Sequence, residues 1–297
     1  MARAYPWIAL ARSGEAHCHA VGRHLLFQLS DLHLVAAGPL RSGVDPLENL
    51  NRAIDLIVAS PSRPEAILFT GDLANSGDPI AYALLRERAQ WLSDAIETNF
   101  VFTPGNHDDR ASFRRHLLGR DAGDGAATEP IDQVHWFGAL RVISLDTVIP
   151  GVDDGNLSDD QLHFLRRQLA DPAPGGTVLA LHHPPISSPI RPMAGMALAR
   201  PERLAAVIEG TDVCLVLSGH NHHASAGLLG RIPVWVSPAL SYRADALVED
   251  RFVGLPGSAF TRIDLLDGRP LVTVVPVPLD SAPPAPAGPS AQTPASA

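Results

Sequence analysis

Short groups of histidine, aspartate and asparagine recur along the chain, each directly after an apolar run. The groups are Asp31-Leu32-His33, Gly71-Asp72, Gly105-Asn106-His107-Asp108, His182-His183 and Gly219-His220-Asn221-His222-His223. They contain seven of the 13 histidines, a concentration that chance explains poorly. Imidazole, carboxylate and amide groups together bind divalent ions such as Zn, Mn and Fe. The residue types therefore predict metal chemistry without choosing among these ions.

The two cysteines take no part in this pattern. Cys18 and Cys214 match no metal-binding or redox spacing, and Cys214 lies inside an apolar run. A buried, inert thiol is the favoured interpretation of Cys214. We therefore expect neither a cysteine-rich zinc site nor a disulfide scaffold.

The elements that position these groups are short apolar runs, which predict buried β-strands. The runs span residues 24–29, 66–70, 100–103, 142–145, 178–181 and 213–217. Near-continuous hydrophobicity of this kind is typical of strands covered on both faces. Ligand sites in open α/β sheets lie beyond the carboxyl ends of the strands. The five groups are thus expected to converge at one edge.

Helical patterns alternate with the predicted strands. Apolar residues recur at three- and four-residue spacing over 46–59, 79–98, 109–118 and 158–169. Pro46 and Pro79 suit a first helical turn and Ser158 suits an N-cap. After Pro233 strands follow without helices, over 234–237, 259–265 and 271–277, which predicts an antiparallel completion of the sheets. The alternation predicts an α/β sandwich.

Three glycines directly precede candidate ligands, namely Gly71, Gly105 and Gly219. Glycine permits unusual backbone angles and close approach where a chain leaves a strand. An ordinary loop role explains any one of them. Their shared position favours a functional explanation for the set.

In this order the groups resemble the calcineurin-like metallophosphoesterases, whose pattern is D-x-H, GD, GNH followed by D or E, H, and GHxH. The resemblance covers residues 25–225. More narrowly, 69–73, 104–110, Leu145-Asp146-Thr147 and 180–185 resemble the class III 3′,5′-cyclic-nucleotide phosphodiesterases of the mycobacterial type. The resemblance implies a four-layer α-β-β-α sandwich of two mixed β-sheets flanked by helices.

The resemblance also implies a ligand set for two divalent metal ions (Mn, Fe or Zn). One ion would be held by Asp31, His33, Asp72 and His222, and the other by Asp72, Asn106, His182 and His220. Asp72 would bridge them, and His182 rather than His183 matches the family's ligand. Two such ions, about 3.5–4 Å apart, can hold a bridging hydroxide that attacks phosphorus in line.

The other residues of the third group have implied roles beside the metals. His107 resembles the family's substrate-contacting histidine, which stabilises the phosphorane and protonates the leaving alkoxide. Asp108 would orient His107 or a ligand by hydrogen bonding. Asn75 departs from the family pattern, since close relatives carry a carboxylate there; hydrogen bonding survives the change but a negative charge does not. His223 is assigned a structural or rim role.

Residues outside the groups are given ordinary roles. His116, His135 and His163 are expected to lie in the core or at the surface, and Asp153-Asp154 in a solvated turn. Tyr242 and Arg243 could reach a base or a phosphate, although an ordinary loop role explains them as well.

Length and composition limit the alternatives. The chain has 297 residues, of which 45% are hydrophobic and 19% charged, as in a globular protein. With a formal net charge of −9 and no basic face, nucleic acid is not the expected partner. No apolar run is as long as a membrane span, so we expect no stable membrane insertion and predict a cytoplasmic location. We predict a leader at 1–23, one metallophosphoesterase domain at 24–278 and a disordered Pro/Ala/Ser-rich tail at 279–297.

The resemblance predicts hydrolysis of a small phosphodiester, with 3′,5′-cAMP as the leading substrate. The alternatives are a broader phosphodiesterase or phosphomonoesterase acting on 2′,3′-cyclic nucleotides or glycerophosphodiesters, and an inactive binding scaffold. Substrate choice is assigned to the loops at 184–201 and 240–258. A homodimer is left open.

Overall fold

The computed structural model describes residues 22–120, 123, 125 and 127–279. The predicted leader and tail lie outside this part of the chain except for Gly22, Arg23 and Leu279, and Cys18 lies outside it as well. Their predicted structure therefore stays a prediction.

Two large mixed sheets form the centre of the molecule. The strands are β1 (Arg23–Leu29), β2 (Ala66–Thr70), β3 (Asn99–Thr103), β4 (Gln133–Phe137), β5 (Leu140–Ser144), β6 (Val148–Ile149), β7 (Val152–Gly155), β8 (Thr177–Ala180), β9 (Val213–Ser218), β10 (Ser225–Leu229), β11 (Ile232–Val236), β12 (Arg243–Ala244), β13 (Gly254–Leu255), β14 (Ser258–Leu266) and β15 (Arg269–Val277). The five-stranded sheet has the order β15-β14-β1-β2-β3 and the six-stranded sheet the order β10-β11-β9-β8-β5-β4. The pairs β6–β7 and β12–β13 form two small separate ribbons.

Parallel pairing brings the metal-binding groups to one edge. Strands β1, β2 and β3 run parallel, as do β5, β8 and β9 in the other sheet. Because parallel strands end at the same edge, the loops after β1, β2, β3, β8 and β9 meet there. This is the convergence that the sequence predicts.

The helices cover the outer faces of both sheets. They are α1 (Pro46–Ala59), α2 (Pro79–Ile96), α3 (Arg110–Ser112), α4 (Asp159–Gln168), α5 (Arg191–Ala194) and α6 (Pro201–Ile208), and a π-helical turn spans Phe113–Leu117. Side chains such as Leu68, Val142 and Leu215 pack between the sheets, while α1 and α2 bury their apolar faces on the first sheet. Helices α4 and α6 do the same on the second sheet. The predicted four-layer α-β-β-α sandwich is confirmed.

Local sequence signals explain the helix ends. Asp45 accepts hydrogen bonds from the Leu47 and Glu48 backbone N–H groups at the start of α1, and Ser158 and Gln161 form a reciprocal capping box at α4. Helix α2 ends two residues earlier than predicted, where Glu97 adopts the left-handed conformation. The predicted helix at 109–118 is split between α3 and the π-helical turn.

The prediction for the region after Pro233 is partly wrong. Strands β14 and β15 are antiparallel as predicted, but β11 pairs parallel with β9. The reason is β10, an unpredicted short strand that reverses the chain at the sheet edge, so that β11 returns in the direction of β9. Helix α6 was also not predicted.

No helix in the described part of the chain is long and apolar enough to cross a membrane.

Candidate metal centre

Four buried side chains from three loops form the first cluster of potential ligands. They are Asp31, His33, Asp72 and His222, and their ligand atoms all lie within 4.8 Å of one another. The Nε2 atoms of His33 and His222 are 3.0 Å apart. His33 Nε2 lies 3.5 Å from Asp72 Oδ2, and His222 Nε2 lies 3.5 Å from Asp31 Oδ1.

A second cluster adjoins the first through Asp72. Asn106 Oδ1 lies 3.1 Å from both His182 Nε2 and His220 Nδ1, and these two nitrogens are 3.3 Å apart. His182 Nε2 is 3.4 Å from Asp72 Oδ1. Asp72 therefore presents one carboxylate oxygen to each cluster, which is the arrangement that a bridging ligand requires.

The ring nitrogens that face the clusters are placed to bind a cation, not to hydrogen-bond one another. His33 Nδ1 donates to Asn75 Oδ1 at 3.2 Å, and His222 Nδ1 donates to the Tyr242 carbonyl oxygen at 2.9 Å. With Nδ1 protonated, Nε2 of each neutral ring carries a lone pair, so two lone pairs face each other. A divalent ion among nitrogen and oxygen donors would satisfy them.

Unusual backbone angles are concentrated at this centre. Eight non-glycine residues in the described part of the chain have positive φ, and five of them are Asp31, His33, Asp72, His220 and His222. A left-handed conformation costs an L-residue roughly 1–2 kcal/mol. Hydrogen bonds between the loops hold it, for example from Asp31 N to Gly71 O at 3.0 Å and from His33 N to Asp72 O at 2.9 Å. Such strain is typical of functional sites.

The three glycines that precede ligands allow side chains to approach the backbone closely. A methyl group at Gly71, where φ is +90°, would overlap the His182 ring, and one at Gly105 would overlap Asp72. At Gly219 it would overlap Ser30 and lie 2.6 Å from Asp31 Oδ2. The centre thus has room for its ligands only with glycine at these positions.

Burial and mutual charge set the protonation states of the centre. Burial lowers the pKa of His33 and of His220 to about 3, leaving both rings neutral and able to bind a cation. Burial also opposes charge on His182, but the carboxylates of Asp72 and Asp31 overcome it and raise its pKa to about 9. A cation that binds there must displace this proton, so binding releases a proton to solvent.

His107 lies at the exposed rim of the centre. Its Nδ1 donates to the Asn75 carbonyl oxygen at 2.8 Å, and its ring stands edge-on to the His33 ring at 4.7 Å between centroids. The Nδ1–H bond leaves Nε2 as the atom that can exchange a proton or a hydrogen bond with a substrate.

Asp108 holds loops together instead of contacting the His107 ring. Its carboxylate accepts hydrogen bonds from the backbone N–H groups of Leu73, Ala74 and Gly105 and from the Tyr82 hydroxyl, over 2.8–3.1 Å. These groups flank the loops that carry Asp72 and Asn106. Asp108 therefore fixes the backbone of the two loops that carry these candidate ligands.

His183 and His223 are bonded elsewhere. A ring nitrogen of His183 lies within 4.8 Å of those of His182 and His220, but Nδ1 is bonded to Thr147 Oγ1 at 2.7 Å and Nε2 to the Asp153 carbonyl oxygen at 3.1 Å. Both ring nitrogens are thus engaged. His223 likewise bonds Ser188 Oγ at 3.0 Å and Ser225 Oγ at 2.8 Å.

The sequence over residues 25–224 matches the sequence model of the calcineurin-like phosphoesterases. This chain belongs to the calcineurin-like phosphoesterase family. The resemblance predicted from the metal-binding groups is confirmed, and the family's dinuclear metal sites agree with two clusters that share Asp72.

Several individual proteins are similar to this phosphoesterase in sequence or in structure. A probable cyclic nucleotide phosphodiesterase of Rhodococcus erythropolis is 44% identical over 228 residues, covering 76% of this chain and 74% of the relative. A cAMP/cGMP dual-specificity phosphodiesterase of Mycobacterium tuberculosis is 38% identical over 226 residues, covering 76% of this chain and 70% of the relative. The crystal structure of a Danio rerio dimetal phosphatase, 12% identical, matches the fold with a TM-score of 0.58, covering 84% of this chain and 98% of the other.

A cleft of about 480 Å³ adjoins the metal centre of this phosphoesterase. Its lining combines a turn after β1 with the segment around β13: Leu40, Arg41, Ser42, Val44, Asn75, Tyr242, Phe252, Gly254, Leu255 and Pro256. Of the two predicted specificity loops, 240–258 contributes to this lining, whereas 184–201 packs behind it through Ile190 and Met193 against Ala244.

The sequence did not predict two contributions to the site, one to the cleft and one to the metal centre. The turn at 40–44 forms one wall of the cleft; its glycine and proline neighbours signal a turn but nothing local places it at the centre. Asp153, assigned to a solvated turn, lies in β7, where its Oδ1 accepts from the Asn106 amide at 3.4 Å. That contact turns Asn106 Oδ1 toward the two histidines.

Proposed function

We propose that this chain is a dinuclear metal-dependent phosphodiesterase that hydrolyses 3′,5′-cyclic nucleotides, with cAMP as the leading substrate. One ion is assigned to Asp31, His33, Asp72 and His222, and the other to Asp72, Asn106, His182 and His220. The observation that carries the assignment is Asp72, whose two oxygens face the two clusters separately.

The donor set supports Mn, Fe or Zn as the ions. Histidine nitrogens with carboxylate and amide oxygens suit these borderline ions, and no thiolate lies in either cluster. When bound, two such ions would neutralise phosphoryl oxygens and lower the pKa of an attacking water.

The protein's own residues supply orientation and a proton. The Nδ1–H bonds of His33, His182 and His222 to oxygen acceptors aim each Nε2 at the centre. We assign His107 the contact with the phosphoryl group and protonation of the leaving alkoxide through Nε2. In the protonated ring, the Nδ1–H group stays bonded to the Asn75 carbonyl oxygen, so the Nε2 proton is the one available to the leaving alkoxide.

Asp108 is proposed as a positioning residue. It holds the backbone on both sides of the centre, so its loss should loosen Asp72 and Asn106 together. We assign it no direct contact with the substrate.

The sequence similarity to named relatives and the position of the cleft support a nucleotide as the substrate. The relatives at 44% and 38% identity are named for cyclic nucleotides, and the cleft adjoins the centre where one arm of a diester would extend. A small phosphodiester is thus the proposed partner. Homodimer formation stays a prediction, which light scattering of the purified chain would measure.

Hydrolysis assays with stripped and restored metal test this proposal. The purified chain is freed of metal, restored with Mn, Fe or Zn in turn, and given 3′,5′-cAMP, 2′,3′-cAMP, bis-p-nitrophenyl phosphate and p-nitrophenyl phosphate. We expect metal-restored cleavage with the highest kcat/KM for 3′,5′-cAMP. A preference for the monoester would refute the phosphodiesterase proposal, and no cleavage of any ester would favour the binding scaffold.

A further inference from the structure

We propose that the cleft beside the metal centre binds the nucleobase of the substrate, and that Phe252 is the surface on which the base stacks. The inference rests on the proposed function and specifies how this chain would select a nucleoside ester over other diesters.

The cleft begins at the metal centre itself. Two of its lining residues also contact proposed ligands: Asn75 bonds His33 Nδ1, and the Tyr242 carbonyl oxygen bonds His222 Nδ1. A diester whose phosphorus lies at the centre therefore has one ester arm directed along this cleft. Its volume of about 480 Å³ falls within the range typical of small-molecule sites.

The lining suits a flat, uncharged ring. Leu40, Val44, Leu255 and Pro256 supply apolar surface, two aromatic rings supply flat surface, and no carboxylate contributes to the lining. Arg41, the one charged side chain of the lining, is exposed. A cationic choline arm would meet Arg41 without a carboxylate to offset it, whereas a base can stack on rings and accept hydrogen bonds from a guanidinium.

The two aromatic side chains have different roles. The Tyr242 ring packs on the metal-centre imidazoles, 4.5 Å from His222 and stacked on His33 at 5.9 Å between centroids. Phe252 lies one ring farther out, nearly perpendicular to His222 at 5.9 Å and to Tyr242 at 6.2 Å. It keeps 37% of its surface exposed, so it offers an aromatic surface that the protein does not cover.

The segment that carries Phe252 is held in place by backbone pairing. Strand β12 pairs with β13, the Asp245 N–H donates to the Val253 carbonyl oxygen at 2.9 Å, and Ala244 N donates to the His222 carbonyl oxygen at 2.8 Å. From the other side, Arg191 N donates to the Glu249 carbonyl oxygen at 2.8 Å. A ring positioned in advance loses little freedom when a base stacks on it.

Substrate pairs that differ in the ring test this role. Base–aromatic stacking corresponds to about 5- to 150-fold in binding. We expect Phe252→Ala to lower kcat/KM for 3′,5′-cAMP by about tenfold or more relative to its effect on glycerophosphocholine, a diester without an aromatic ring. Phe252→Tyr, which keeps an aromatic ring, should turn over cAMP as the parent does. Phe252→Leu, which keeps apolar volume for folding but has no ring, should show the same loss as Phe252→Ala. Leu247→Ala is the matched control, since Leu247 lies in the same segment, is 93% exposed and does not line the cleft.

A binding measurement separates this inference from the proposed function. Calorimetric titration of the metal-loaded protein with 5′-AMP and with ribose 5-phosphate should show that Phe252→Ala weakens the first about tenfold and the second much less. If the parent enzyme cleaves cAMP but Phe252→Ala affects both members of each pair equally, the inference is overturned and the function stands. If the parent cleaves glycerophosphocholine but not cAMP, the proposed function fails and the inference fails with it.

Discussion

Alanine in place of Gly71 tests whether the close packing of the centre is required for metal binding. Gly71 has φ of +90°, and a methyl group there would overlap the His182 ring. Two costs follow: the left-handed backbone is strained by roughly 1–2 kcal/mol with any L side chain, and the His182 ring must move. A displacement of about 1 Å in a catalytic group can cost about 100-fold in rate.

A second glycine separates these two costs. Gly210 has φ of +72° and nothing within 4 Å of an added methyl group, so Gly210→Ala carries the backbone strain alone. We expect Gly210→Ala to lower the melting temperature by a few degrees, about 2–4 °C per kcal/mol for a domain of this size, and to retain two metal ions per chain and normal kcat. Gly71→Ala should lose metal from the site that contains His182 and lose activity at least about 100-fold.

The assays are metal content after gel filtration, hydrolysis of 3′,5′-cAMP with restored Mn, and thermal unfolding. Two metal ions and near-normal kcat in Gly71→Ala would refute the argument that this approach requires glycine. Loss of metal in Gly210→Ala as well would assign the effect to general destabilisation.

Four further predictions concern single side chains. His107→Ala should keep two metal ions by elemental analysis yet lose kcat by about 100-fold or more, because general acid catalysis is worth that much; loss of metal would contradict its assignment. His182→Ala should lose metal whereas His183→Ala keeps it, since both His183 nitrogens are bonded to Thr147 and Asp153, and the reverse order in a metal assay would exchange their roles. Asn75→Asp should tighten Mn binding about tenfold, because a carboxylate facing His33 Nδ1 makes that ring a stronger donor; unchanged or weaker affinity in a competition titration would argue against this. Burial raises the pKa of Asp132 from 3.8 to about 6 despite its bonds from Asp146 N and the Gln161 amide, so the stability linked to its proton is complete below pH 3.8 and is lost as the pH rises through 6. Asp132→Asn should therefore be more stable than the parent by about 2 kcal/mol at pH 8 but not at pH 4. Equal urea midpoints of the two proteins at pH 8 would disprove this prediction.

Much of the scaffold was predictable because its signals are local. Strand β2 at Ala66–Thr70 and helix α1 at Pro46–Ala59 lie at the predicted positions, since a buried apolar run and an amphipathic spacing are properties of neighbouring residues. Strand β11 was given the wrong direction because its partner depends on β10, which lies at the sheet edge and carries only a weak apolar pattern. Helix α6 has eight residues, too few for its periodicity to stand out.

The sequence alone determined the family, the types of candidate ligand and their location after strands, because each group is a short contiguous motif. Only the tertiary structure decided which atoms meet. The backbone N–H of His220 bonds Asp31 across 189 positions, and each of the two clusters that Asp72 faces combines side chains from loops of both sheets. Likewise, Asp108 bonds backbone rather than the His107 ring, and the wall around Phe252 joins a turn near residue 41 to a segment near residue 254. Such contacts depend on strand register and loop packing, which no local pattern of residues specifies.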